Sequence, residues 1–174
     1  FEGLEGFFET NFFTEGVTYD VTTAAGASQY CETNLRKAFE EKALANADPS
    51  LIRSTFQLCH DDNTTDADLG WSATNWLNEA LSYMAMGNYP YPSAYILNGA
   101  GMLPAFPVRV ACESLAMDMT NHEEQLEEWL VGLASFAGVY YNYTNALECN
   151  RMSAPVNQES KIVNALWNYQ YCSQ

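Results

Sequence analysis

The sequence predicts an all-α domain, a helical bundle braced by disulfides, on three observations. Apolar residues recur at three- and four-residue spacing through several stretches. No run alternates apolar and polar residues for long enough to mark a sheet. Five cysteines, Cys31, Cys59, Cys112, Cys149 and Cys172, accompany two glycosylation sequons, Asn63-Thr64-Thr65 and Asn142-Tyr143-Thr144. Together these favour an oxidising, secretory compartment. Reduced, buried thiols in a cytosolic protein are the alternative. The odd count leaves one cysteine without a partner inside the chain.

Residues 1–30 are rich in Phe, Thr and Gly with poor periodicity, and read as an irregular lead-in with a short helix at most. From Glu32 to about Ala45, Leu35, Ala38, Phe39 and Leu44 recur at helical spacing among charges. Asp48-Pro49 then gives a cap residue followed by proline at the first helical position, opening a helix from Ser50 to about Cys59. The polar run from His60 to Gly70 reads as a surface loop. A long helix follows from about Trp71 to Met86, with Trp76, Leu77, Ala80, Leu81 and Met84 as its apolar stripe.

Between Met86 and Cys112 the chain places four of its six prolines, three tyrosines and a Gly-Ala-Gly. Proline fixes φ and lowers the entropy lost when a segment is held in one shape. Such a segment suits a wall or lid, and equally a buried packing element. Pro107 can open a further helix through Val108, Val110, Ala111 and Leu115. Thr120-Asn121-His122-Glu123 matches a capping box ahead of a helix carrying Leu126, Trp129, Leu130, Leu133, Phe136, Ala137 and Tyr140. A last helix spans about Asn157 to Trp167.

Composition excludes several functions. With 174 residues and 48% hydrophobic content the chain can build one real core, so it is not a disordered tail. Its 22 acidic against 7 basic residues, a formal charge of -15, repel phosphate backbones and anionic membranes, which argues against nucleic-acid and membrane partners. No apolar run approaches the roughly 20 residues that span a bilayer. The chain opens at Phe1 rather than on methionine, without a basic-then-apolar leader, and reads as a processed or excised piece.

A search for chemistry finds little. Gly70-Trp71-Ser72-Ala73-Thr74 lacks the second glycine of a nucleophile elbow and follows no strand, so Ser72 reads as a helix cap. His60 beside Cys59 is a sequence neighbour, not a catalytic pair, and reads as a surface histidine in a loop. His122 falls in the capping box. Gly99-Ala100-Gly101 runs into Met-Leu-Pro rather than a helix start, which does not cradle phosphate. Glu123-Glu124 and Glu127-Glu128 lie four apart and read as a solvated helix face. The cysteine spacings fit no zinc pattern, so neither metal nor cofactor is expected.

What the residues do carry is a resemblance. The stretches "LSYMAMGNYPYPSAYI" and "LPAFPVRVACESL" resemble the cap segment of the serine peptidase family that includes lysosomal Pro-X carboxypeptidase and dipeptidyl peptidase II. "VYYNYTNALEC" and "LWNYQYCSQ" are similar to the family's Tyr-rich segment and its Trp-x-Tyr-Gln-x-Cys motif. "GVTYDVTT" and "FQLC" resemble its early cap region more weakly, so the likeness runs from about Val17 to Gln174.

The resemblance implies an α/β-hydrolase interrupted by a helical cap, with its catalytic Ser before the cap and its Asp and His after it. Residues 1–30 would then lead in from the hydrolase body and residues 31–174 would be the cap. All three triad members would lie outside this chain. It implies Cys31–Cys112 and Cys59–Cys149 bonds, and a partner for Cys172 outside the chain. Its expected partners are the hydrolase body of the same protein and peptides with proline near one end, in a lysosomal or secreted setting. Homodimer formation stays open.

Trp167, Asn168 and Tyr169 are the candidate substrate-binding residues under that likeness. The dipeptidyl peptidase branch is expected to carry an aspartate at Asn168, to hold a free amino terminus. An amide does not supply that charge pairing, which tilts the reading to a Pro-X carboxypeptidase-like cap. A structural Asn168 closing the chain reversal is the other reading of that residue. A dipeptidyl peptidase II-like cap and a secreted, non-catalytic helical binding module are the alternatives for the whole chain.

Overall fold

The computed structural model describes residues 14–40, 43–94, 101–119 and 125–152. Among them the α-helices are α1 (Thr14–Asp20), α2 (Cys31–Glu40), α3 (Pro49–Thr55), α4 (Asp66–Met86), α5 (Pro107–Cys112) and α6 (Leu126–Tyr141), with short 3-10 turns between. No strand occurs among the described residues, only two isolated bridges, Leu58 with Asn150 and Ser93 with Leu103. The all-α, disulfide-braced architecture read from periodicity is the one observed.

α4 and α6 form the centre. α4 buries Leu69, Ala73, Trp76, Leu77, Ala80, Leu81 and Met84, the three-four spacing that turns one stripe to the core. α6 answers with Trp129, Leu130, Leu133, Phe136, Ala137, Tyr140 and Tyr141. Aromatic rings lock the pair: Trp76 stacks on Tyr141 at 4.1 Å and Tyr83 on Tyr140 at 5.3 Å. Phe56, at the end of α3, meets the edge of Trp76 at 5.8 Å. α1 and the turn behind it add Val21 and Ala27 to the same core, so this part of the lead-in is packed.

Helix ends explain where the sequence reading shifts. Asp48 caps α3 by accepting from Ser50 N and Leu51 N, with Pro49 beginning the helix. That helix stops at Thr55 rather than near Cys59. The run from His60 to Gly70 is a loop only to Thr65, which caps α4 by accepting from Asp68 N. Ser72 therefore lies inside α4, not at its cap. Gly70 is buried there, and a Cβ on it would lie 2.5 Å from Ala45 Cα and from Leu44 O. α6 starts at Leu126 with Gln125 in the cap position. The Thr120–Glu123 capping box, the last helix over residues 157–167, and residues 1–13 lie outside the described residues.

α2 seals the chain that leaves α5. Cys31 is bonded to Cys112. Two side chains from α2 then satisfy three carbonyls of that chain. Asn34 Nδ2 donates to Leu115 O at 3.1 Å and Met117 O at 2.9 Å, and Lys37 Nζ donates to Met119 O at 2.9 Å. Both side chains are buried, so these bonds remove the desolvation penalty of orphaned carbonyls, about 1–3 kcal/mol for each.

Candidate functional site

The proline-rich connection is an ordered element where it is described. α4 ends at Met86 with Gly87 closing its last turn. Ser93 and Leu103 then exchange both backbone bonds, Ser93 N to Leu103 O at 3.1 Å and Leu103 N to Ser93 O at 2.9 Å. In that register Pro92 faces Pro104, since each is one residue from the bridge. The pair next to a bonded pair in an antiparallel ladder points its N–H groups outward. Two residues with no N–H therefore fit there without forfeiting a bond.

The far end is held as firmly. Phe106 N donates to Tyr89 O at 2.7 Å. Phe106 adopts the left-handed conformation, φ 50, immediately before Pro107 opens α5. That backbone costs roughly 1–2 kcal/mol for a residue with a Cβ. Its neighbours hold it: the Arg109 guanidinium sits 4.3 Å from the centre of the Phe106 ring. Arg109 Nη2 also donates to Ala25 O at 2.9 Å, tying the connection to the lead-in. Gly26, at φ 87, leaves room for this arginine, because a Cβ there would lie 2.8 Å from Nε.

Several apolar side chains of the connection stay at the surface. Tyr89 and Tyr91 stack with rings 5.5 Å apart and planes 3° from parallel. Tyr91 is 58% exposed and Met102 56%, with Met86 at the end of α4 at 44%. Pro90 and Pro92 are exposed beside them. Both of the alternatives the sequence left open are represented in the described part of the connection: Leu103 and Pro107 are buried in the core, while Tyr91 and Met102 are exposed.

Among the described residues no reacting constellation forms. No three His, Cys, Asp or Glu side chains converge as a metal group. His60 is exposed, Ser72 is half-buried, and Glu127 and Glu128 stand on the solvent side of α6. Two grooves exist. One of about 270 Å³ runs between Thr55, Phe56, Gln57 and the small face of α6, Ala134, Ser135 and Gly138. The other, about 290 Å³, is lined by Val17, Val21, Leu35, Phe39, Asn78 and Leu81. Among the described residues no helix is long and apolar enough to cross a membrane.

The predicted site residues divide. Trp167, Asn168, Tyr169 and Cys172 lie outside the described residues. Cys31–Cys112 and Cys59–Cys149 are bonded, the pairs that the resemblance implies. Asn63 is exposed in the loop before α4, and Asn142 is half-buried at the end of α6. Sequence reasoning singled out the prolines but missed the exposure of Tyr91 and Met102. The pairing of Ser93 with Leu103 across ten residues has no local signature.

Comparison with known proteins places this arrangement. No family model matches the chain. A Caenorhabditis elegans protein named as a serine protease, pcp-1, is 38% identical over 81 residues, 47% of this chain and 13% of that protein. Prolyl carboxy peptidase like protein 5 of the same organism is 30% identical over 115 residues, 62% of this chain and 20% of that protein. The lysosomal Pro-X carboxypeptidase of Pongo abelii is 25% identical over 148 residues, 83% of this chain and 27% of that protein. The chain is similar to a segment of the Pro-X carboxypeptidases. It spans between 13% and 27% of the length of these relatives. This Pro-X carboxypeptidase-like segment is thus a disulfide-braced helical body whose proline-rich connection is held by backbone pairing and presents tyrosine and methionine outward.

Proposed function

We propose that the chain is the helical cap of a proline-directed serine exopeptidase of the Pro-X carboxypeptidase kind. The likeness to a segment of such enzymes carries this reading. The exposure of Tyr91 and Met102 on the proline-rich connection supports it, because a roof needs apolar side chains to seat on a floor. In this reading an α/β-hydrolase body from other parts of the same polypeptide supplies the Ser, Asp and His. The cap covers the groove, so a peptide end enters and a peptide middle does not. Closing the groove expels water and strengthens each polar contact made by the reacting groups. Trp167, Asn168 and Tyr169 would face the bound end, and the lysosome or the secreted fluid would be its setting.

Hydrolysis by the intact polypeptide tests this. Peptides ending in Pro-X should lose the last residue, while the same peptides blocked at the carboxyl end should persist. Cleavage of end-blocked peptides at an internal proline would sink the exopeptidase cap. Release of an amino-terminal X-Pro dipeptide instead would move the chain to the dipeptidyl peptidase branch.

A further inference from the structure

The groove of about 290 Å³ is an apolar hollow with no cover among the described residues. Three helices build it: Val17 and Val21 come from α1, Leu35 and Phe39 from α2, and Leu81 from α4. Val21, Leu35 and Leu81 belong to the buried core, so the hollow is continuous with it. Val17 and Phe39 are only half-buried. The charges in its lining, Glu32 and Arg36, are paired with each other at 3.0 Å. We infer that this groove seats the phenylalanine-rich segment of residues 1–13 of the same chain.

The composition of that segment suits the groove. Residues 1–13, FEGLEGFFETNFF, hold five of the nine phenylalanines of the chain, with Leu4 beside them. Apolar side chains at this density gain by leaving water, and they require an apolar surface to do so. A dry hollow of roughly 150 Å³ takes one benzene ring, so a groove of about 290 Å³ takes about two phenyl groups.

The covalent tether selects this occupant over others. Phe13 is bonded to Thr14, the first residue of α1, and α1 is itself a wall of the groove. Phe13 stands four residues before Val17, which stands four before Val21. That is the spacing that lines one face of a helix, so the stripe facing the groove runs on in sequence into the segment. Helix α1 has seven residues and is about 10 Å long. The stretch from Phe8 to Thr14 reaches roughly 20 Å when extended, enough to turn back over it. A segment held so close has an effective concentration in the millimolar range, which a second copy of the chain does not match.

The seat does not depend on the function proposed above, but it changes how that function would be built. The lead-in from a hydrolase body then arrives as part of the core of the cap rather than as a free tether. Three helices hold it at once.

The test is photocrosslinking in the intact polypeptide, with p-benzoylphenylalanine in place of Phe8 or of Phe12 and the products read by peptide mass spectrometry. Irradiation should join the probe to α2 or α4, at Leu35, Phe39, Asn78 or Leu81, within a single chain. Asn78 is exposed and lines the groove, so Asn78→Trp fills it from the solvent side. That variant should keep the helical circular dichroism of the parent and lower the crosslink yield several-fold. Crosslinks only to parts of the polypeptide outside residues 1–174 would overturn the inference and leave the cap reading standing. Crosslinks between two copies would overturn it in favour of a dimer contact. No crosslink to α2 or α4 from either position, or a yield indifferent to Asn78→Trp, would overturn it as well. Peptide hydrolysis tests the cap reading separately, so the two failures are distinguishable.

Discussion

The Tyr141 ring lies flat on the Trp76 indole, with centroids 4.1 Å apart and planes 6° from parallel. The Tyr141 hydroxyl donates to Glu79 Oε2 at 3.0 Å and lies 3.1 Å from the Trp76 carbonyl oxygen. One residue thus joins α4 to α6 by stacking and by a hydrogen bond. Burial, with the Glu79 carboxylate adding to it, pushes the phenol well above its ordinary 10.0. Tyr140, stacked on Tyr83, is pushed the same way by burial first.

Tyr141→Phe keeps the stack and removes the hydroxyl, and should lower stability by about 1 kcal/mol in urea denaturation. Alkali should act through the same groups. Unfolded tyrosine loses its proton near pH 10 while folded Tyr141 and Tyr140 keep theirs, so the folded state binds more protons there. The stability they lend is whole below pH 10 and declines as pH rises beyond it. A spectrophotometric titration should show their ionisation only together with unfolding. Free titration of every tyrosine in the folded protein would contradict the buried placement.

Two glycines should respond with opposite sign. Gly70→Ala drives a Cβ to 2.5 Å from backbone atoms of Leu44 and Ala45, which have little freedom to yield. Overpacking of this kind costs about 1–3 kcal/mol, and the upper end is expected. Gly138→Ala meets nothing within 4 Å and lies inside α6. There the gain in helix propensity should raise stability by about 0.5–1 kcal/mol. Thermal melts of the two variants beside the parent protein read both directions.

The Cys59–Cys149 bond closes a separation of 90 residues. Loop-closure entropy assigns such a bond about 4 kcal/mol. Cys59→Ser with Cys149→Ser should remove most of that, and the seam from Gln57 to Met152 should lose amide-exchange protection before α4 does. Protection lost evenly over the whole chain would mean the bond braces everything rather than this corner.

Tyr91 and Met102 should matter mainly in the intact polypeptide. If these side chains seat on a hydrolase body, Tyr91→Ser with Met102→Ser should lower the melting temperature of the whole protein and raise KM. Burial of two such side chains is worth roughly 2–4 kcal/mol. The isolated segment should shift far less, because both are more than half exposed in it and only the Tyr89–Tyr91 stack is lost. Equal shifts in both would place the two residues in the segment's own stability.

Much of the architecture was legible in residue order alone. The stripes of α4 and α6, the Asp48-Pro49 start and the Pro107 start are local codes, set by the helical period and by proline's missing N–H. The loop ahead of α4 misled because Asp66, Asp68 and Gly70 are poor helix formers in isolation. Thr65 caps that turn, acidic residues suit its N-terminal end, and Leu44 and Ala45 pack against Gly70. Only tertiary structure decided how the proline-rich connection folds, since its hydrogen bonds link Tyr89 to Phe106 and Ser93 to Leu103. Periodicity travels with the chain, whereas contacts between distant residues exist only after the chain has closed on itself.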